Sequence, residues 1–179
     1  ESSEYNASGS DTIRLSQELT RQLLGPAMVT HDAQINDLLL STLLITVHHW
    51  KKKKDVLVLL EGHGRQGEVT ELDVSRTVGW FTSLFPVHLK LSNDTISIND
   101  YGLVVQTVKT QLRLIPWKGI GYGILRYMSN DPRVKNLEQL DTAQITFNYL
   151  GQIDDSVGIG WRSAKERAPE NIDGIPGQR

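Results

Sequence analysis

The chain has 179 residues, 39% of them hydrophobic, and sets 19 Lys and Arg against 21 Asp and Glu with no cysteine. That length and apolar content suit one domain, or one lobe of a larger one. A formal net charge of -2 excludes a general electrostatic pull toward nucleic acid or an anionic membrane. The missing cysteines exclude disulfide frameworks, Cys-based zinc sites and thiol catalysis, in keeping with a reducing cytoplasm.

Residues 1–10, ESSEYNASGS, read as a polar, flexible lead-in without the apolar core of a signal peptide. No later run approaches the ~18 consecutive apolar residues of a membrane span, so a soluble cytoplasmic protein is expected. Ile13, Leu15, Leu19, Leu23 and Leu24 recur at mainly helical spacing. They predict a helix over 17–24, with Ser16 as its N-cap and Gly25-Pro26 as its end. From Ile35 to Val47 apolar residues repeat every three or four positions, which predicts a long, largely buried helix. His48, His49 and Trp50 follow, then four lysines. Adjacent histidines on a helix point about 100° apart and are poorly placed to share a metal ion. The lysines read as a solvated turn, and nothing around them adds up to a nucleic-acid surface.

The next stretch, VLVLLEGHGR (56–65), organises the chain. A short apolar run between a Lys-rich turn and two glycines predicts a buried strand. Side chains alternate along it, so Val56, Val58 and Leu60 share one face while Leu57, Leu59 and Glu61 share the other. Glu61 then stands where a core face runs out, and a carboxylate that loses solvation is a stronger base once ionised. An ion pair from Glu61 to Arg65 or Arg76 is the structural alternative.

Residues 66–71 read as a polar loop. Arg76, Trp80 and Phe81 around Gly79 suggest a shaped surface or packed corner, and Pro86 argues against a central strand. Val87, Leu89 and Leu91 alternate with polar residues, giving a half-exposed strand with His88 on the surface. After a turn over 93–99, Asn99 or Asp100 caps a helix to about residue 115, its core face carrying Val104, Val105, Val108 and Leu112 and its exposed face Lys109 and Arg113. Pro116 ends it. Gly119-Ile120-Gly121-Tyr122-Gly123 opens a short helix over 124–128 and follows no strand, so it is not a dinucleotide fingerprint. AQITFNYL (143–150) predicts another strand, and residues 156–179 a loose polar tail.

Five stretches, DLLL (37–40), EGHGR (61–65), RTVGWFT (76–82) with Pro86-Val87, KGIGYG (118–123) and FNYLGQ (147–152), resemble in order and spacing the epimerization domains of nonribosomal peptide synthetases. These belong to the condensation-domain superfamily, and the resemblance covers roughly residues 11–155. It implies an α/β fold, one lobe of a chloramphenicol-acetyltransferase-like pair, with a mixed sheet packed by helices. The family's HHxxxDG motif has no counterpart here, since His48-His49 run into Trp50 and lysines. The chain therefore resembles the C-terminal lobe. Gln66 replaces a frequent acidic residue, and Trp117 stands where a smaller polar residue is common.

The resemblance further implies α-proton removal and return on an aminoacyl or peptidyl thioester. No cofactor is bound directly; the substrate rides on the phosphopantetheine arm of a peptidyl carrier protein domain. Glu61 would be the catalytic base and Tyr149 would orient the thioester or assist proton transfer, while a strand-end cap is the structural alternative for Tyr149. His63, Arg65, Trp80, Gly121, Tyr122 and Asn148 would bind substrate or line the tunnel, and no residue is expected to hold a metal. The partners are the carrier and an N-terminal lobe, without which this chain is expected to be inactive. A peptide-bond-forming condensation lobe and a non-catalytic docking piece are the alternatives.

Overall fold

A computed structural model of the protein describes residues 9–65, 73–91, 100–139 and 142–152. Helix α1 (Gln17–Gln22) starts at Ser16, whose Oγ accepts the Leu19 N–H at 3.2 Å. Gly25-Pro26 does not end the helical path, contrary to the sequence expectation. A π-helical turn (Leu23–Ala27) carries Pro26 and continues into α2 (Met28–His31). Proline lacks the N–H of an α-helical bond and its ring crowds the preceding turn, and a wider turn relieves that crowding. The true stop is Asp32, in the left-handed conformation at φ 46°.

Helix α3 (Ile35–Lys51) buries Leu38, Leu40, Leu44 and Val47, while other apolar positions on it, such as Leu39 and Leu43, are half-buried. It ends at Lys52, again left-handed, and the lysines beyond are exposed. Strand β1 (Asp55–Gly62) follows and pairs with both neighbours in a three-stranded sheet of order β2-β1-β3. It runs antiparallel to β2 (Ser83–Lys90) and parallel to β3 (Ile145–Phe147). The chain is thus α/β with a mixed sheet packed by helices.

Pro86 lies inside β2, which starts at Ser83 and not at Val87 as the proline had suggested. The register explains why it is tolerated. Leu91 N–H donates to Lys54 O at 2.8 Å, which makes Lys54 and Leu91 a hydrogen-bonded pair. Alternation then leaves Leu59 and Pro86 at a non-bonded pair, where the ladder asks no donor of residue 86. At the outer side of β2, Gln111 acts as a substitute strand, its amide accepting from Lys90 N–H at 2.9 Å and donating to Lys90 O at 2.7 Å.

Helix α4 (Tyr101–Arg113) covers the same face of the sheet as α3. Val58 and Leu60 of β1, Phe85, Val87 and Leu89 of β2, Leu40 and Leu44 of α3, and Val104 and Val108 of α4 form one core. A smaller cluster of Ala33, Leu38 and Val105 seats α2 against α3 and α4. A turn (Pro116–Gly119) then places Trp117, Lys118 and Gly119 at positive φ, and a Cβ on Gly119 would lie 2.1 Å from the Phe85 ring. Close approach to that ring explains glycine there. Helix α5 (Gly121–Tyr127) and a 3-10 segment (Pro132–Gln139) lead to β3. All these elements belong to a unit spanning Glu1–Tyr149. Of the second unit, Leu150–Arg179, only residues 150–152 are described, without helix or strand. The loops expected over 66–71 and 93–99, most of the lead-in and the 156–179 tail lie outside the described residues. Among the described residues no helix is long and apolar enough to cross a membrane.

The face of α4 expected to be exposed carries Arg113, which is exposed, and Lys109, which is half-buried, and both are ion-paired. Arg113 Nη1 and Nη2 donate to the two carboxylate oxygens of Asp37 at 2.9 and 2.7 Å, and the same carboxylate accepts the Gln34 N–H at 2.7 Å. Asp37 is 1% exposed, and with no apolar side chain able to replace those donors its charge requires Arg113. Asp37 in turn holds Arg113 above the usual guanidinium range. Lys109 donates to Asp32 at its backbone carbonyl and, at 2.7 Å, at its carboxylate. That pairing holds the Asp32 carboxyl below the usual carboxylate range.

Arg113→Met leaves Asp37 buried and uncompensated, and should lower the urea unfolding free energy by about 3 kcal/mol. Lys109→Met should cost much less, because Asp32 is exposed. A lowered carboxylate pKa stabilises the fold above the unfolded value near pH ~4 and ceases to do so as pH falls through the folded value. Acid titration of stability below about pH 4 should therefore be shallower in Lys109→Met than in the parent chain.

Candidate functional site

Leu60 points into the helix-covered core, so its neighbour Glu61 points to the opposite, open face of the sheet. There Glu61 is half-buried, across from Leu84 of β2. On its other flank the parallel register pairs Leu60 with Phe147. The next residue of that chain segment, Asn148, thus comes alongside Glu61, and its Nδ2 donates to Glu61 Oε2 at 2.8 Å. One amide fixes the direction of the carboxylate without neutralising its charge, and a held carboxylate on an open face is a proton acceptor with a defined approach.

The glycines after Glu61 let two segments interlock. Gly64 is buried at φ 65°, and a Cβ there would fall 1.5 Å from the Phe81 carbonyl oxygen. Gly62 faces Ser83, whose Oγ would be 3.0 Å from a Cβ on residue 62. That hydroxyl is buried with no partner among the described residues. Arg65 does not pair with Glu61. Its Nη1 donates to the Val74 and Thr77 carbonyls at 2.6 and 2.8 Å, its Nη2 to the Gly79 carbonyl at 3.3 Å, and the guanidinium stacks 4.3 Å from the centre of the Phe81 ring. His63 is exposed, its Nδ1 accepting the Arg65 N–H at 3.1 Å.

The other residues singled out from the sequence are dispersed around this centre. Tyr149 is half-buried directly after Asn148. Trp80 is 90% exposed. Gly121 begins α5, and Tyr122 packs on the core side of the sheet with its hydroxyl accepting from Arg126 at 2.5 Å. The grooves formed by Gln106–Gln111 and by Asp32, Lys109 and Arg113 lie on the helix side, away from Glu61. Among the described residues no three His, Asp or Glu side chains converge as a metal site. His48 Nδ1 lies 3.0 Å from the Lys53 carbonyl. His88 meets Asp55 at 2.7 Å on the surface, where it was expected. Two features were missed from the sequence. Ser83 was hidden because Pro86 masked the start of its strand, and Phe81, read only as part of a packed corner, gave no signal that it would stack on Arg65.

The condensation-domain family model matches residues 1–171. The chain belongs to the condensation-domain family. Among curated relatives, one of the linear gramicidin synthase proteins of Brevibacillus parabrevis is 46% identical over 146 residues, which is 81% of this chain and 2% of that protein. Tyrocidine synthase 1 of the same organism is 42% identical over 142 residues, 79% of this chain and 13% of that protein. The chain thus spans a small part of the relatives it matches. Among solved structures, the epimerization domain from the third module of tyrocidine synthetase B superposes with a TM-score of 0.58 at 38% identity, over 65% of this chain and 25% of that one. The first condensation domain of the calcium-dependent antibiotic synthetase, in complex with a substrate analogue, shares the fold at a TM-score of 0.51 and 16% identity, over 74% of this chain and 28% of that one. The condensation-type fold read from the five motifs is therefore the fold observed.

Gly64→Ala cannot be accommodated against the Phe81 carbonyl and should destabilise the lobe by about 2 kcal/mol in thermal or urea unfolding. Gly123→Ala is the control. It sits in α5 with nothing within 4 Å of the new Cβ, and should be neutral or slightly stabilising.

Proposed function

We propose that this chain is the carboxylate-bearing lobe of an epimerization domain, acting within a larger synthetase on an aminoacyl or peptidyl thioester. The observation that carries this reading is the Glu61–Asn148 pair, which unites the EGHGR and FNYLGQ motifs at one point on the open face of the sheet. The 38% identity to a solved epimerization domain supports it.

In this mechanism the Glu61 carboxylate takes the α-proton, and the electron pair of the C–H bond moves into the thioester as an enolate. A proton is returned to the opposite face of the planar carbon by a group outside this chain, which the family resemblance places in the N-terminal lobe. The arrangement inverts the centre with no net change of atoms. Asn148 holds the base in line. Tyr149 orients the thioester, and His63 and Trp80 bind the substrate or line its tunnel. Gly121 and Tyr122 support the sheet from its core side. The substrate arrives on the phosphopantetheine arm of a carrier domain, and the setting is cytoplasmic. The family model is that of condensation domains, which favours peptide-bond formation as the second reading.

In the full synthetase carrying this lobe, Glu61→Gln should abolish exchange of the substrate α-proton with solvent deuterium, by at least ~10²-fold, while thioester loading proceeds. Exchange retained at the parent rate would remove Glu61 from the chemistry. Loss of peptide-bond formation with exchange intact would favour the condensation reading.

A further inference from the structure

Arg65 stands within the same short motif as Glu61, yet its side chain is turned to the backbone of another segment. Carbonyls of Val74, Thr77 and Gly79 converge on one guanidinium, and Phe81 closes over it. Convergent carbonyl dipoles repel one another unless a cation lies between them. The planar fork of arginine reaches carbonyls in different directions while its face stacks on an aromatic ring, which a lysine ammonium does not do. The segment so gathered is held a second time by Gly64, which packs against the Phe81 carbonyl. Two residues later it becomes β2, where Ser83 pairs with Gly62 and Leu84 with Glu61.

We infer that Arg65 is a positioning residue for the reaction proposed above: it contacts no substrate, and acts by locking the 73–82 segment onto the end of β1 so that the wall beside Glu61 is preformed. This rests on the epimerase reading for its activity consequence, but the lock itself is measurable without turnover. The guanidinium's work is done on carbonyls, so its loss should reach the rate of the chemical step and leave substrate affinity alone.

The test is hydrogen exchange by mass spectrometry together with α-proton exchange kinetics, both on the full synthetase. In Arg65→Ala, amides of residues 74–82 should exchange about tenfold faster while those of residues 56–60 keep their protection. The kcat for α-proton exchange should fall on the order of tenfold with KM for the loaded carrier unchanged. Millimolar guanidinium should restore part of both losses. Phe81→Leu, which keeps the carbonyls and removes the stack, should give a smaller change in the same direction should Arg65→Ala fold poorly. A raised KM with unchanged protection of 74–82 would assign Arg65 to substrate binding and overturn the inference, as would unchanged values of both. The two readings fail separately: parental α-proton exchange in Glu61→Gln sinks the reading of the site, whereas unaltered protection of 74–82 in Arg65→Ala sinks this one.

Discussion

Strand β1 is hydrogen-bonded along both edges, antiparallel on one side and parallel on the other. A strand held twice has no freedom of register, and a slip of one residue would exchange its two faces. That constraint sends Val58 and Leu60 into the helices and leaves Glu61 facing outward, with Leu84 on one flank and Asn148 on the other. The placement of the carboxylate is thus a by-product of core packing. Each apolar residue that seats β1 also aims the acid.

Within the helical layer a different kind of force joins α3 to α4. Leucines and valines supply most of the burial, but they pack without strong direction. Asp37 adds direction, since a buried carboxylate bound to the start of α3 and to both terminal nitrogens of Arg113 permits one rotation of α4 over α3. The DLLL motif therefore combines one charge that orients with leucines that fill. A similar division holds at the far end of the sheet, where glycines allow segments to approach and Arg65 ties them.

Much of this was readable from residue order because it depends on local periodicity. The three-and-four spacing of α3 and α4, the Ser16 cap and the alternation in β1 are properties of near neighbours, and they appear where the spacing put them. What was misread depends on distant partners. Pro86 argued rightly against a central strand, but it hid that the outer strand β2 begins before it, at Ser83, because its non-bonded position is set by pairing with β1. Arg113 is exposed as its place on the helical wheel requires and Lys109 is half-buried, but their partners Asp37 and Asp32 lie more than seventy residues away and gave no local sign. Glu61 and Asn148 were both picked out, but their contact follows from the parallel pairing of β1 with β3, which no local pattern encodes.

The outer margin of β2 has a consequence for association. Its outward amides alternate along the strand, at Leu84, residue 86, His88 and Lys90. Proline removes the second of these donors, and the Gln111 side chain occupies the last. Among the described residues, an incoming strand from another molecule would find a broken row with few contiguous places to bond, which disfavours the sheet-to-sheet growth that leads to aggregates. A residue that argued against a central strand thereby keeps the outer strand from being extended.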